Sequence, residues 1–230
     1  MTIKPKLWHC YSSRSLRPLW ALAEMKLDYD LELLPFPPRM FQPDYLDINP
    51  LGTVPFFTDG PVEMTESTGI CLYLVEKYGG DLGVPSSHPD YPDYLNWLFH
   101  SDATLTFPQT LVLRYSQLEP EERRSVAIVE DYRRWFLARL KRLDQHLLSR
   151  EYLCAERFTI ADISVAYALY LATGLGLDQF FTPQTKAYAE RMCSRPAFLQ
   201  VEPLGAEQSL FTPQPYPFGM DFDSLPGAKK

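Results

Sequence analysis

The pattern of apolar and polar positions changes character near residue 80. Before that point short apolar runs alternate with helical spacings. Leu7-Trp8-His9-Cys10 is apolar on both sides of a pleat apart from His9, the composition of a strand buried in the middle of a sheet. After Tyr11-Ser12-Ser13, apolar residues at Leu16, Leu19, Trp20, Ala23 and Leu27 follow a helical spacing, with Pro18 early enough for a first turn to tolerate it. Residues 29–34 predict a second strand and close a right-handed β-α-β unit. Pro35, Pro37 and Pro38 end that strand, and residues 39–48 read as irregular, with one helical turn near 44–46. Val54-Pro55 then opens a further strand, because a proline without an amide proton suits a strand's first residue better than its middle. Phe56-Phe57-Thr58, the turn Asp59-Gly60 and Val62-Glu63-Met64 form a hairpin. Glu66 and Ser67 begin a helix marked by Ile70, Leu74 and Tyr78, and its free first amides and positive dipole end suit a carboxylate.

Beyond residue 80 the pattern is helical and contains no convincing strand. Gly79-Gly80-Asp81 and Pro85-Ser86-Ser87-His88-Pro89 shift the composition to turn formers. The expected division is residues 1–80, a linker at 81–90, a helical part at 91–204 and a proline-rich tail at 205–230. One helix is expected over 93–107, stopped or kinked by Pro108 and continuing to 116. A second is expected near Glu121-Glu122, with a stripe at Val129, Tyr132, Phe136, Leu140, Leu143 and Leu147. Thr159-Ile160-Ala161-Asp162 has the form of a capping box, flanked by Phe158 and Ile163 at the two staple positions. Asp162 is therefore expected to serve structure. The tail is aromatic without periodicity, and the pattern assigns it neither a packed nor a mobile state.

Composition narrows the function. A net charge of −7 and a pI near 5.1, without basic clusters, argue against nucleic acid and anionic membranes as partners. No stretch approaches the ~20 apolar residues of a membrane span. Cys10, Cys71, Cys154 and Cys193 are widely separated and lack metal-site spacing, so reduced thiols in a soluble cytoplasmic protein are expected, with no metal.

The order of Asn49-Pro50, Gly52, Val54-Pro55, hairpin and Glu66-Ser67 closely resembles the glutathione-binding domain of cytosolic glutathione transferases, nearest to the zeta- and theta-like bacterial members. The resemblance implies a thioredoxin-like α/β domain, an all-α bundle after it, a homodimer, and glutathione as co-substrate with a small electrophile. It also implies a cis bond before Pro55. Val54 would then offer its backbone to the cysteinyl unit, while Glu66 and Ser67 hold the γ-glutamyl end. Gln42 matches a zeta-class contact, Arg39 complements the glycyl carboxylate in charge, and Asp102 falls where several classes use an acid from the partner subunit. Transfer needs a thiolate, yet a free thiol of pKa about 8.5 is only roughly 3% ionised at pH 7, so ionisation alone can raise the rate about thirtyfold. In serine-type members the donor to sulfur stands four residues before the arginine of the first helix, which gives Ser13 when counted from Arg17. The zeta motif laid over Ser12-Ser13-Arg14-Ser15-Leu16-Arg17 keeps Ser12 as the alternative. Arg14 replaces the cysteine of that motif, which weakens a maleylacetoacetate isomerase reading. The absence of a cysteine in this loop disfavours a thiol-disulfide reductase. Cys10 reads as a core residue. Phe107 and Arg114, with Tyr115, are the candidates for a second-substrate pocket. A non-catalytic glutathione-binding or scaffold protein is the rival from another class.

Overall fold

The computed structural model describes residues 4–225, so the last five residues of the expected tail lie outside the described chain. The first half is a four-stranded sheet in the order β2-β1-β3-β4, built from β1 (Lys6–His9), β2 (Asp30–Leu33), β3 (Phe56–Asp59) and β4 (Val62–Met64). β1 runs parallel to β2 and antiparallel to β3, with Leu7 opposite Phe57 and Trp8 opposite Phe56. Side chains alternate across a strand, and this register sends the two pairs to opposite faces. Leu7 and Phe57 join the main core with α1 (Leu16–Glu24) and α3 (Ser67–Tyr78), whereas Trp8, Phe56, Cys10, Leu34 and Tyr45 form a smaller cluster on the other face. That second face is covered by Tyr45, from a 3₁₀ turn at Pro43–Asp47, with Phe36 and Val54 against it, and α2 (Pro38–Phe41) packs on that turn. This is a thioredoxin-like domain, and a helical domain follows it.

The helical domain comprises α4 (Tyr91–Phe99), α5 (Phe107–Leu113), α6 (Val126–Leu147), α7 (Ile160–Gly174), α8 (Pro183–Cys193) and α9 (Pro196–Val201). Every residue from 160 to 169 in α7 is buried, as an apolar helix at a bundle's centre must be. Its start carries the expected capping box: the Thr159 N–H donates to Asp162 Oδ2 at 2.9 Å, and Thr159 Oγ1 accepts from the Ala161 N–H at 3.2 Å. Asp162 does more than cap. Its Oδ1 also accepts from the Leu153 N–H at 3.1 Å and from the Tyr188 hydroxyl at 2.9 Å.

Several elements depart from the sequence reading. The helix expected over 93–107 is instead α4, a π-helical segment at His100–Thr106, then α5, and a second π-helical segment at Arg114–Leu118. Pro108 cannot donate to a carbonyl four residues back, and the wider turn upstream accommodates the break. Glu121–Arg123 forms a 3₁₀ turn, and α6 begins only at Val126, where Ser125 Oγ accepts from the Ile128 N–H. A serine with extended backbone supplies the cap that Glu121 and Glu122 do not. α1 ends at Glu24, so Leu27 lies past it, after Lys26 at φ +54°. The tail packs against the fold, with Phe218 only 4% exposed.

Candidate functional site

The loop between β1 and α1 sits at the carboxyl end of a central strand and faces the helical domain. Ser12 there has φ +57°, a conformation that costs a non-glycine residue about 1–3 kcal/mol unless its surroundings hold it. Part of that support is the Tyr167 hydroxyl of α7, which donates to the Ser12 carbonyl at 3.3 Å. Ser13 Oγ lies 2.9 Å from the Cys10 carbonyl and 2.7 Å from Ser15 Oγ, and Ser15 Oγ lies 2.7 Å from His9 Nδ1. His9 Nε2 donates to the Leu204 carbonyl at 3.1 Å, which leaves Nδ1 as an acceptor. Ser15 therefore points its proton at His9, and the single Ser13 proton is directed to the Cys10 carbonyl or to Ser15 Oγ. Burial pushes the His9 imidazole down to about 4, so the ring is neutral at pH 7.

The loop before β3 forms the opposite wall. Thr53 C=O accepts from the Tyr45 hydroxyl and from Asn49 Nδ2, both at 2.8 Å, while Asn49 Oδ1 accepts from the Leu51 N–H. These bonds set the chain that enters the cis Val54–Pro55 bond. Among the described residues no hydrogen bond engages the Val54 N–H or C=O. Gly52 at φ +60° is required here, because a Cβ would lie 2.8 Å from Arg39 Cβ. Next along the chain, Glu66 is the N-cap of α3 without a side-chain capping bond, and Ser67 is its first residue, 4% exposed.

One cation, which sequence spacing used only as a ruler, ties these walls to the helical domain. Arg17 is fully buried and donates to Ser67 Oγ and Asp102 Oδ1, each at 3.0 Å, to Thr106 Oγ1 at 2.7 Å, to Ser101 C=O at 3.3 Å and to Ser164 C=O at 3.2 Å. Its guanidinium carbon is 4.5 Å from the centre of the Tyr167 ring. Since Arg17 occupies the Ser67 oxygen from behind, the Ser67 proton is available to a ligand. A charged residue immediately before Pro18, in the otherwise apolar run of residues 16–23, was the available signal. Arg14, on the exposed side, contacts Thr110 Oγ1 at 3.1 Å and Asp102 at 3.5 Å.

The walls enclose a cavity of about 370 Å³. Ser12, Ser13, Arg39, Val54, Pro55, Glu66 and Ser67 all line it. Gln42 is exposed and does not line it, and Asp102 stands behind Arg14 and Arg17 outside the lining. Phe107 and Arg114 do not line it either: Phe107 is 49% exposed, and Arg114 pairs with Glu119 at 2.6 Å. Thr110, Leu113, Tyr167 and Leu171 face the cavity instead, together with Phe36 and the tail residues Ser209, Phe211 and Pro213. Cys10 is buried with its thiol pushed up to about 12, and so lacks the thiolate character of a nucleophile. Among the described residues no group of three or more His, Cys, Asp or Glu is arranged to hold a metal ion, and no helix is long and apolar enough to cross a membrane.

Comparison with known proteins agrees with this geometry. Residues 11–77 match the family described as glutathione S-transferase, N-terminal domain, and residues 110–196 match glutathione S-transferase, C-terminal domain. The chain is 30% identical to glutathione S-transferase 3 of Schizosaccharomyces pombe over 207 residues, spanning 83% of this chain and 84% of that one. Among solved structures it is similar to the glutathione transferase URE2P6 of Phanerochaete chrysosporium in complex with oxidized glutathione, with 25% identity, a TM-score of 0.77, and coverage of 90% of this chain and 98% of that one. A bacterial glutathione transferase from Methylococcus capsulatus superposes with a TM-score of 0.74 at 26% identity, covering 88% and 99% of the two chains.

Proposed function

The chain belongs to the glutathione S-transferase family, and from that premise we propose that it binds glutathione in the cavity and activates the thiol through the Ser13 hydroxyl for attack on a small electrophile. The observation that carries this reading is the convergence of Ser13, the free backbone of Val54 and the Glu66-Ser67 helix start on one cavity. Val54 would pair with the cysteinyl backbone as a neighbouring strand does. Ser67 and the first amides of α3 would hold the γ-glutamyl carboxylate, and Glu66 its amine. Arg39, over Gly52, would meet the glycyl carboxylate. Gln42 and Asp102 do not line the cavity and would act only through a shift of α2 or through Arg17.

Ser13 is favoured over Ser12 because it stands four residues before Arg17, the spacing of the serine-type donor; its one proton, directed to the Cys10 carbonyl or Ser15 Oγ in the free protein, would turn to the sulfur on binding. The proposal includes the division at residues 80, 90 and 204, a cytoplasmic location and a homodimer. Exposed Met40, Phe41 and Leu51 beside the cavity offer apolar surface for a second copy, and sedimentation at the monomer mass would contradict that part. The mechanism is tested by steady-state kinetics. Ser13→Ala should lower kcat by up to about thirtyfold, the ceiling set by thiol ionisation, with the glutathione KM within about twofold. A loss confined to Ser12→Ala would move the role to Ser12, and full turnover in both variants would refute serine activation.

A further inference from the structure

Three side chains carry a line of hydrogen bonds from the cavity into the interior. Ser13 lines the cavity, whereas Ser15 and His9 have no exposure at all. Ser13 Oγ and Ser15 Oγ are 2.7 Å apart, and so are Ser15 Oγ and His9 Nδ1. Two hydroxyl oxygens at that separation need a proton between them. The line ends at His9, whose Nε2–H is committed to the Leu204 carbonyl, so Nδ1 is the basic atom left to it. Among the described residues no charged side chain bonds the ring. Glu202, two residues before Leu204, accepts from Tyr11 and Tyr170, and Arg17, two residues after Ser15, is paired with Asp102. Burial keeps the ring neutral in the empty site and its Nδ1 open.

We propose that His9, acting through Ser15 and Ser13, takes up the proton of the glutathione thiol, so that the thiolate forms without releasing a proton to solvent. The inference rests on the glutathione reading, which puts the sulfur at Ser13 Oγ, and adds where the proton goes. Counting protons over the three links decides between the two destinations. With the thiol intact, S–H points to Ser13, Ser13 to Ser15 and Ser15 to His9, and every link is filled. If the proton left for water, Ser13 would turn to the sulfur while Ser15 stayed on His9. Two lone pairs would then face each other across 2.7 Å. When the proton moves down the line instead, all three links stay filled. The S–H bond breaks and its electron pair stays on sulfur; Ser13 Oγ takes that proton and gives its own to Ser15 Oγ, which gives its own to His9 Nδ1. Both hydroxyls end neutral and the ring ends as imidazolium, with nothing oxidised or reduced. The thiolate raises the ring's affinity for the proton and so offsets the burial that keeps it neutral in the empty site. The Cys10 carbonyl, 2.9 Å from Ser13 Oγ, competes for the Ser13 proton in that empty site, where no sulfur has to be ionised.

Nitrogen NMR of the full chain carrying isotope-labelled histidine reads the state of His9 Nδ1 directly, and His9→Gln identifies its signal among the four histidines. Glutathione should convert wild-type Nδ1 from the unprotonated to the protonated form in proportion to the absorbance of bound thiolate. S-methylglutathione, which has no thiol proton, should leave it unprotonated. Calorimetric titration in buffers of different ionisation enthalpy should count far less than one proton released per thiolate formed. Ser15→Ala interrupts the line, and its thiolate fraction at pH 7 should fall by about threefold or more. Ser15→Thr keeps the hydroxyl and should restore the wild-type fraction. Bound thiolate beside an unprotonated Nδ1, or one proton released per thiolate, overturns the inference and leaves the glutathione reading standing. So does a Ser15→Ala protein whose bound thiol titrates as in wild type. The wild-type measurements decide the matter even where Ser15→Ala fails to fold. If folded wild type binds neither ligand, or binds glutathione with its thiol un-ionised, the reading itself fails and takes this inference with it.

Discussion

Arg17 holds its charge entirely out of water, which a lone guanidinium could not do without a large desolvation cost. Burial lowers its affinity for the proton, and the Asp102 carboxylate acts in the opposite sense. Its five acceptors come from both domains, so a single side chain fixes Ser67 relative to the helical domain. Ser67→Ala should therefore weaken glutathione by about 1–3 kcal/mol through loss of a charge-assisted bond. Arg17 keeps its other four partners in that variant, so the denaturant midpoint should move little. Calorimetric affinity equal to wild type would refute the role. At this scale the sequence was most legible where a residue type is rare for its place. Val54-Pro55 and Glu66-Ser67 stood out by order and spacing, and both pairs line the cavity. Phe36 and Phe211 did not stand out, because each is one aromatic among prolines and its value depends on which distant segment it faces.

Elements were legible where local chemistry decided them, as with the Asp59-Gly60 hairpin and the Thr159-Asp162 cap. They were not where one proline changed the hydrogen-bond ladder over a whole helix. The π-helical segment at His100–Thr106 cannot be read from apolar spacing, because the spacing is what it alters. Within and just after α5, Thr110 and Leu113, and not Phe107 and Arg114, face the cavity. The cap at α7 is stronger than its motif implies, since Asp162 also receives Leu153 and Tyr188. Asp162→Ala should cost about 2–4 kcal/mol, more than a cap alone, because buried donors lose their acceptor. Denaturant midpoints would measure it, and a loss below about 0.5 kcal/mol would show that water replaces the carboxylate.

For the whole molecule, the two domains and their order were legible because periodicity changes once, near residue 80. The path of the tail was not, since it depends on contacts with Gly176, Gln117 and His9 far away in sequence. His9 also links stability to pH. Its folded value of about 4 lies below an unfolded value of 6.5, so the unfolded state binds more protons between them. This contribution is complete above pH 6.5 and is lost as pH falls towards 4, on the order of 3 kcal/mol for a ring with no exposure. Asp162, raised by burial from 3.8 to about 6, acts in the opposite sense: its folded state favours the proton, so stability falls as pH rises through that interval. The two effects separate by substitution. The stability gap between wild type and His9→Gln should narrow from pH 7 to pH 4.5, and a gap independent of pH would contradict the assignment. The central claim is that the cavity holds glutathione with its sulfur ionised by Ser13, and the absorbance of bound thiolate titrated against pH tests it most directly. The account predicts a bound-thiol pKa well below the free value of about 8.5, returning most of the way to it in Ser13→Ala. A thiol that binds but titrates at the free value in wild type, or at the same depressed value in both proteins, would contradict it.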